Sequence, residues 1–268
     1  MIQLEHLKKH FKKMEVLRDV NLMVEKGETM VVIGRSGQGK SVILKHIMGL
    51  LQPDGGRVLV DGEEISTPNQ VHLYRIRKKL GMLFQGAALF DSMTVGENIA
   101  FALREHTTKT EGEIARIVAE RLEMVGLRGI ENKMPAELSG GMKKRVGLAR
   151  VIAMDPAYIL YDEPTTGLDP ITSDTINDLI LEMQSHLKVT SIVVTHDMVS
   201  AYKVANRIAM LHEGSVIFTG SSNELKASRD PRVQQFIRGQ RKLMYEGKIA
   251  TEEESSKFQE KFSLTDLK

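Results

Sequence analysis

The chain has no cysteine. That absence removes disulfides, thiolate metal sites and cysteine nucleophiles, and it fits a reducing compartment. Long apolar runs are missing too. No stretch reaches the about eighteen apolar residues of a membrane span, so any membrane role must come through a partner. The opening Met1-Ile-Gln-Leu-Glu-His carries charge at once, and no signal peptide is expected. Blocked charge is absent as well. The 37 basic and 35 acidic residues are mixed along the chain, and the net charge of +2 argues neither for nor against nucleic acid. There is no internal repeat and no low-complexity block. What remains is 268 residues, 41% hydrophobic and 27% charged. That is an ordinary globular composition, with length for one full core and a small subdomain.

The stretch Gly34-Arg35-Ser36-Gly37-Gln38-Gly39-Lys40-Ser41 stands out. Before it, Met30-Val31-Val32-Ile33 reads as a buried strand. After it, residues 42–51 read as a helix. Strand, G-x-x-x-x-G-K-S, helix is a phosphate-binding loop in its required context. Glycines let the backbone curl so that its N–H groups face one oxyanion. The helix N-terminus adds its positive end. Lys40 is placed to reach the β- and γ-phosphates, and the Ser41 hydroxyl to ligate Mg²⁺. The plain alternative is a Gly-rich turn that merely starts a helix.

Residues 2–8 and 15–25 alternate as half-buried strands do, and Val58-Leu59-Val60 continues this β-rich part. Residues 75–79 form a basic helical stretch, and 80–84 a short buried strand. From about 93 to 126 the pattern turns helical, with Ile114, Ile117, Val118, Leu122 and Val125 at helical spacing. A separate helical subdomain over about 93–155 is expected. Residues 141–154 read as another helix. Buried strands at 158–161 and 191–195 flank a helix over about 171–186. Strands alternating with helices imply a parallel sheet. Val233, Phe236, Ile237 and Met244 share one face of a helix over 232–244. Residues 241–268 form a polar tail, loose or marginally helical around 251–257.

The strand Ile159-Leu160-Tyr161-Asp162-Glu163 ends in two carboxylates. Beside a phosphate loop, Asp162 can hold Mg²⁺ and Glu163 can polarise water as a general base. Thr195-His196-Asp197 ends the next buried strand and brings His196 to the same sheet edge. Leu138-Ser139-Gly140-Gly141-Met142 opens a helix carrying Lys143, Lys144 and Arg145. A Ser there is usually only an N-cap. Ser-Gly-Gly also makes a second anion-binding helix end, which suggests a nucleotide held between two subunits.

These elements together resemble the nucleotide-binding subunits of ATP-binding cassette (ABC) transporters, over about residues 1–240. Residues 34–41 correspond to Walker A, Gln85 to the Q-loop glutamine, 138–142 to the signature, and 158–163 to Walker B. Gly167-Leu168-Asp169 corresponds to the D-loop, and His196 to the switch histidine. The resemblance implies an α/β P-loop NTPase of ABC type. Its RecA-like parallel-sheet core carries an antiparallel β subdomain and a helical subdomain. It also implies ATP and Mg²⁺ as ligands, with backbone amides of 37–42, Val42 included, around the phosphates. Ser41, Gln85 and Asp162 approach the metal, and Glu163 serves as base. His196 contacts the γ-phosphate. Ser139, Gly140 and Gly141 face the nucleotide of a second copy, and Asp169 passes information between the two sites. Phe11 lies where the family stacks an aromatic on adenine. Met142 and Val42 depart from the usual Gln and Thr, at positions that hold neither metal nor γ-phosphate.

A narrower resemblance rests on residues 83–93, 103–107, 124–129, 134–142, 169–172 and 230–236. These are similar to ATPases of the Mla and Mkl type. It implies a homodimer on the cytoplasmic face of the inner membrane, bound to an Mla-type permease. A lipid-binding protein of the mammalian-cell-entry class belongs to such a complex, and phospholipid or a related envelope lipid is the cargo. A small-solute importer is the nearest alternative. An ABC ATPase of DNA repair fits less well, because only about a hundred residues separate Walker A from the signature, without heptads or cysteine. A translation-factor type would carry two cassettes, and a non-catalytic module would not need Glu163 and His196. No nucleic-acid partner is expected.

Overall fold

The computed structural model describes residues 1–12, 14–66 and 70–246, the side chains of 70 and 240–246 excepted. The strands are β1 (Ile2–Phe11), β2 (Met14–Val24), β3 (Thr29–Ile33), β4 (Gly55–Val60), β5 (Glu63–Glu64), β6 (Leu80–Leu83), β7 (Tyr158–Asp162), β8 (Thr190–Thr195), β9 (Arg207–His212) and β10 (Ser215–Gly220). The helices are α1 (Lys40–Ile47), α2 (Gln70–Arg77), α3 (Val95–His106), α4 (Glu111–Met124), α5 (Gly140–Ile152), α6 (Pro170–Leu187), α7 (Met198–Val204), α8 (Ser222–Ala227) and α9 (Pro231–Glu246).

The strands form one sheet in the order β5-β4-β1-β2-β10-β9-β3-β8-β7-β6. From β9 to β6 all neighbours run parallel. At the other end β2, β1, β4 and β5 pair antiparallel. This is the mixed α/β fold expected of a P-loop NTPase of ABC type. Every residue of β3, β7 and β8 is buried, as strands covered on both faces must be.

Register decides where the chemistry can sit. Ile33 lies opposite Thr195, and Asp162 opposite Val194. The three central strands therefore end together, and the segments beginning at Gly34, Glu163 and His196 leave from one sheet edge. Strand ends at such an edge are where α/β proteins bind ligands.

The helical region between β6 and β7 is built from locally specified pieces. Thr94 with Glu97 and Thr110 with Glu113 form capping boxes that start α3 and α4. The run expected over 93–126 is thus two helices broken at residues 107–110. The helix expected at 75–79 begins earlier, at Gln70, because Leu73 and Ile76 supply its buried face. Phe84 lies past the end of β6. Contacts divide the chain into Met1–Leu225 and Lys226–Lys268. In α9, Val233, Phe236 and Ile237 are buried. The side chain of Met244 and residues 247–268, including 251–257, lie outside the described residues.

Candidate functional site

An open cleft of about 520 Å³ lies at the common edge of β3, β7 and β8. Ser36, Gly37, Gly39, Lys40, Ser41 and Val42 line one wall. Gly39, just before α1, has φ +96, in the left-handed region, and a Cβ there would fall 2.9 Å from Leu17 Cδ2. Only glycine lets the loop turn into α1 at this point. Helix α1 begins at Lys40 with no acidic residue in its first turn, so its positive end is left for an anion.

Lys40 is buried and donates to the carbonyls of Gly34 (2.9 Å) and Arg35 (3.3 Å). Its Nζ also stands 3.3 Å from Glu163 Oε1. Ser41 Oγ donates to Asp162 Oδ1 at 2.6 Å. A hydroxyl and a carboxylate side by side are hard oxygen donors of the kind Mg²⁺ takes alongside substrate phosphates and water.

Glu163 sits at the centre. It has φ +48, left-handed for a non-glycine residue, and its N–H donates to Val194 O at 2.9 Å. Such a conformation costs on the order of 1–2 kcal/mol and persists where the surroundings enforce it. It turns the carboxylate out of the sheet into the cleft. Oε2 meets His196 Nδ1 at 2.8 Å and accepts from Thr166 Oγ1 at 3.2 Å. One carboxylate therefore faces a lysine on one side and an imidazole on the other.

Gln85 lines the cleft two residues beyond β6. The loop that follows is pinned from two sides. Arg150 donates to the carbonyls of Ala87 and Ala88, both at 2.8 Å. Asn98, fully buried, bonds Phe90, Met93 and Thr94. Phe11 also lines the cleft, with its ring exposed and Lys9 Nζ 5.6 Å from the centroid.

The remaining candidates do not line this cleft. Gly34 and Arg35 contribute carbonyls to Lys40, and Gln38 Oε1 accepts from Glu213 N. Ser139 and Gly140 are exposed at the start of α5, where Ser139 Oγ accepts from Met142 N at 3.3 Å. Gly141 is buried, and a Cβ there would lie 2.4 Å from Thr172 Cγ2. Its lack of a side chain lets the end of α5 pack on α6. Asp169 caps α6, accepting from the N–H of Ile171 and Thr172 at 3.0 Å. The Thr172 hydroxyl and amide hold its carboxyl below the usual range.

Sequence reasoning missed Lys144 as a site residue. It is buried and donates to Glu163 O at 3.2 Å. Burial pulls its pKa down while Asp162 and Glu163 oppose that. The signal was present: Gly141, Lys144 and Leu148 fall on one helical stripe, and all three are buried. Thr166, Met14 and Val16 also line the cleft and were not singled out.

The family profile of ABC transporters matches residues 17–166. A "probable ribonucleotide transport ATP-binding protein mkl" of Mycobacterium leprae is 44% identical over 240 residues, covering 90% of this chain and 69% of that protein. The "intermembrane phospholipid transport system ATP-binding protein MlaF" of Haemophilus influenzae is 45% identical over 222 residues, 83% of this chain and 84% of the relative. MlaF of Escherichia coli K12 is 42% identical over 224 residues, 84% of this chain and 83% of the relative. Among solved structures, the dimeric post-hydrolysis state of the ATP-binding cassette MJ0796 bound to ADP and Pi superposes with a TM-score of 0.77 at 32% identity. It covers 82% of this chain and 98% of that one.

Proposed function

We propose, from the premise that this chain belongs to the ABC transporter family of ATP-binding proteins, that it is the ATPase motor of a lipid-moving permease. The observation that carries the chemistry is Glu163, held between Lys40 and His196 at the mouth of a phosphate-binding loop. Lys40 exchanges its contacts with Gly34 O, Arg35 O and Glu163 for the β- and γ-phosphate oxygens of ATP. Glu163, thereby released, takes the proton of the attacking water as general base. His196 contacts the γ-phosphate and is oriented by the same carboxylate. Phe11 offers its exposed ring to the adenine. Ser41, Asp162 and Gln85 are the residues that would hold Mg²⁺, which supplies charge neutralisation of the phosphates when bound.

Ser139 and Gly140, both exposed, and the buried Gly141 open a thirteen-residue helix without acidic residues in its first turn. None of the three residues lines the chain's own cleft. This helix start is the anion-binding terminus that a second copy would use, and the dimeric relative supports that reading. Asp169 at the neighbouring helix start links the two sites. We read residues 1–240 as the cassette, with a helical subdomain over about 93–155.

Among the described residues no helix is long and apolar enough to cross a membrane. The membrane link is a permease of Mla type at the cytoplasmic face of the inner membrane, with a mammalian-cell-entry class protein in the complex. The loop after Gln85 supports this, since it presents Phe90, 44% exposed, against the equally open ring of Phe101 at 5.3 Å. The MlaF relatives favour phospholipid as cargo. The mkl relatives favour a second reading, ribonucleotide. Deleting the gene and measuring envelope lipid asymmetry beside ribonucleotide uptake separates them. Altered lipid distribution with normal uptake is expected, and the reverse pattern would replace the lipid reading with the second.

A further inference from the structure

Beneath the Glu163–His196 pair lies a buried polar knot that phosphate chemistry does not require. It borders a cavity of about 350 Å³ lined by Thr165, Thr166, Asn177, His196, Asp197 and Ser200, among others. Thr165, Asn177 and Ser200 are all buried, Ser200 with 1% exposure. Ser200 Oγ lies 2.6 Å from Asp197 Oδ2, 2.9 Å from Asn177 Nδ2 and 3.3 Å from Thr165 Oγ1.

Valence assigns the direction of each bond. An ionised carboxylate only accepts, so the single Ser200 proton goes to Asp197. Both Ser200 lone pairs then need donors. Asn177 Nδ2 is one, and the amide cannot be flipped, because its oxygen would face a hydroxyl with no proton left to give. Thr165 must therefore donate to Ser200, although geometry alone leaves that bond undirected. One hydroxyl is saturated by three different segments.

The three segments are the ones that carry the site. Thr165 follows Glu163 by two residues. Asn177 is on α6, the helix that Asp169 starts. Ser200 is on α7, which Asp197 caps immediately after His196, its carboxylate also accepting from Val199 N (3.0 Å) and Ser200 N (3.2 Å). Asp197 N in turn donates to Thr195 Oγ1 at 3.0 Å.

We propose that Ser200 is a positioning residue for ATP hydrolysis: its hydroxyl, saturated by Asp197, Asn177 and Thr165, fixes Glu163, His196 and the start of α6 in one register. The proposal rests on the reading of Glu163 and His196 as base and γ-phosphate contact. Ser200 is 1% exposed and does not line the cleft at the phosphate-binding loop. It acts by holding the backbone that carries both groups, and a 1 Å error there is costly to rate.

The test uses the full chain and Ser200→Ala, the near-isosteric Thr165→Val, and the two combined. ATP turnover is measured against ATP concentration at a temperature well below the melting point of every variant. Expected is a loss of kcat between about 5-fold and about 10²-fold with KM for ATP within about 2-fold. The double variant should be little worse than Ser200→Ala, because both act on one node. Ile176→Val, a fully apolar change beside Asn177 on the same helix, is the stability control and should melt lower yet keep its kcat. Wild-type kcat in both single variants overturns the proposal, and so does a comparable kcat loss in Ile176→Val. Glu163→Gln in the same panel separates the two readings. If it loses turnover while Ser200→Ala does not, only the positioning role falls. If it keeps turnover, the base assignment falls and the proposal with it.

Discussion

Asn98→Ala should loosen the loop between Gln85 and α3, and the structure gives the size of the effect. Asn98 is fully buried. Its Oδ1 accepts from Phe90 N at 2.8 Å. Its Nδ2, with two protons, reaches the carbonyls of Phe90 (3.1 Å), Met93 (3.1 Å) and Thr94 (3.0 Å), so one proton is shared. Two of these carbonyls keep a partner without it: Phe90 O accepts from Met93 N at 3.1 Å, and Thr94 O from Asn98 N at 2.9 Å. Phe90 N–H and Met93 C=O lose theirs. Two half-buried orphans at about 1–2 kcal/mol each give about 2–4 kcal/mol. For a unit of this size that is a fall in Tm of roughly 5–15 °C, if the loop unfolds together with the rest. Asn98→Asp should be at least as severe. It keeps an acceptor for Phe90 N but points a second oxygen at three carbonyls. Calorimetry of the purified chain reads both. Melting within about 2 °C of wild type for both variants would refute the account of this loop.

Lys40→Ala removes the cation that meets both the loop carbonyls and Glu163, and ATP affinity should fall by about 10²-fold or more in a direct binding assay. Charge introduced at Phe90 or Met93 should abolish permease-stimulated turnover while Tm and basal turnover stay near wild type. Loss of Tm would assign these side chains to packing instead. His46 is buried, with Nδ1 2.7 Å from Val42 O. Burial lowers its pKa below the ordinary value, with Val42 O and Asp54 opposing that and Lys9 reinforcing it. The unfolded chain therefore binds the proton more readily, so this contribution to stability is full above about pH 6.5 and fades as pH falls toward the folded value. His46→Leu should flatten the acid limb of Tm against pH, and an unchanged limb would rule His46 out. If Ser139 serves a second copy, specific activity should rise with chain concentration under dilute conditions, and constant specific activity would exclude a shared site.

Much of this was legible in the sequence because the site is built from consecutive residues at strand ends. Met30 to Ile33 and Tyr158 to Tyr161 are short apolar runs that read as buried strands, and the Gly34 loop and the Asp162-Glu163 pair that follow them fall at one edge by register. The loop from Gly34 to Ser41 needs no tertiary information to be read. What was not legible depends on packing between distant segments. Lys144 looked like one of three basic residues until α5 turned it toward Glu163 O. Ser200 is an unremarked serine until Thr165 and Asn177 converge on it. The early start of α2 hid behind its charges, since Leu73 and Ile76 are its only deeply buried apolar side chains. The left-handed backbone of Glu163 has no marker at all in the sequence.

The central claim is that Glu163, poised between Lys40 and His196, is the base of a nucleotide site completed by a second copy. Glu163→Gln tests both halves in one preparation. It preserves shape, removes the proton acceptor and leaves the phosphate cradle intact. With Mg²⁺ and ATP, the variant should bind nucleotide as wild type does, lose turnover by roughly 10²-fold or more, and accumulate as a dimer on a sizing column. Wild-type hydrolysis by this variant, or a nucleotide-saturated chain that stays monomeric, would contradict the account.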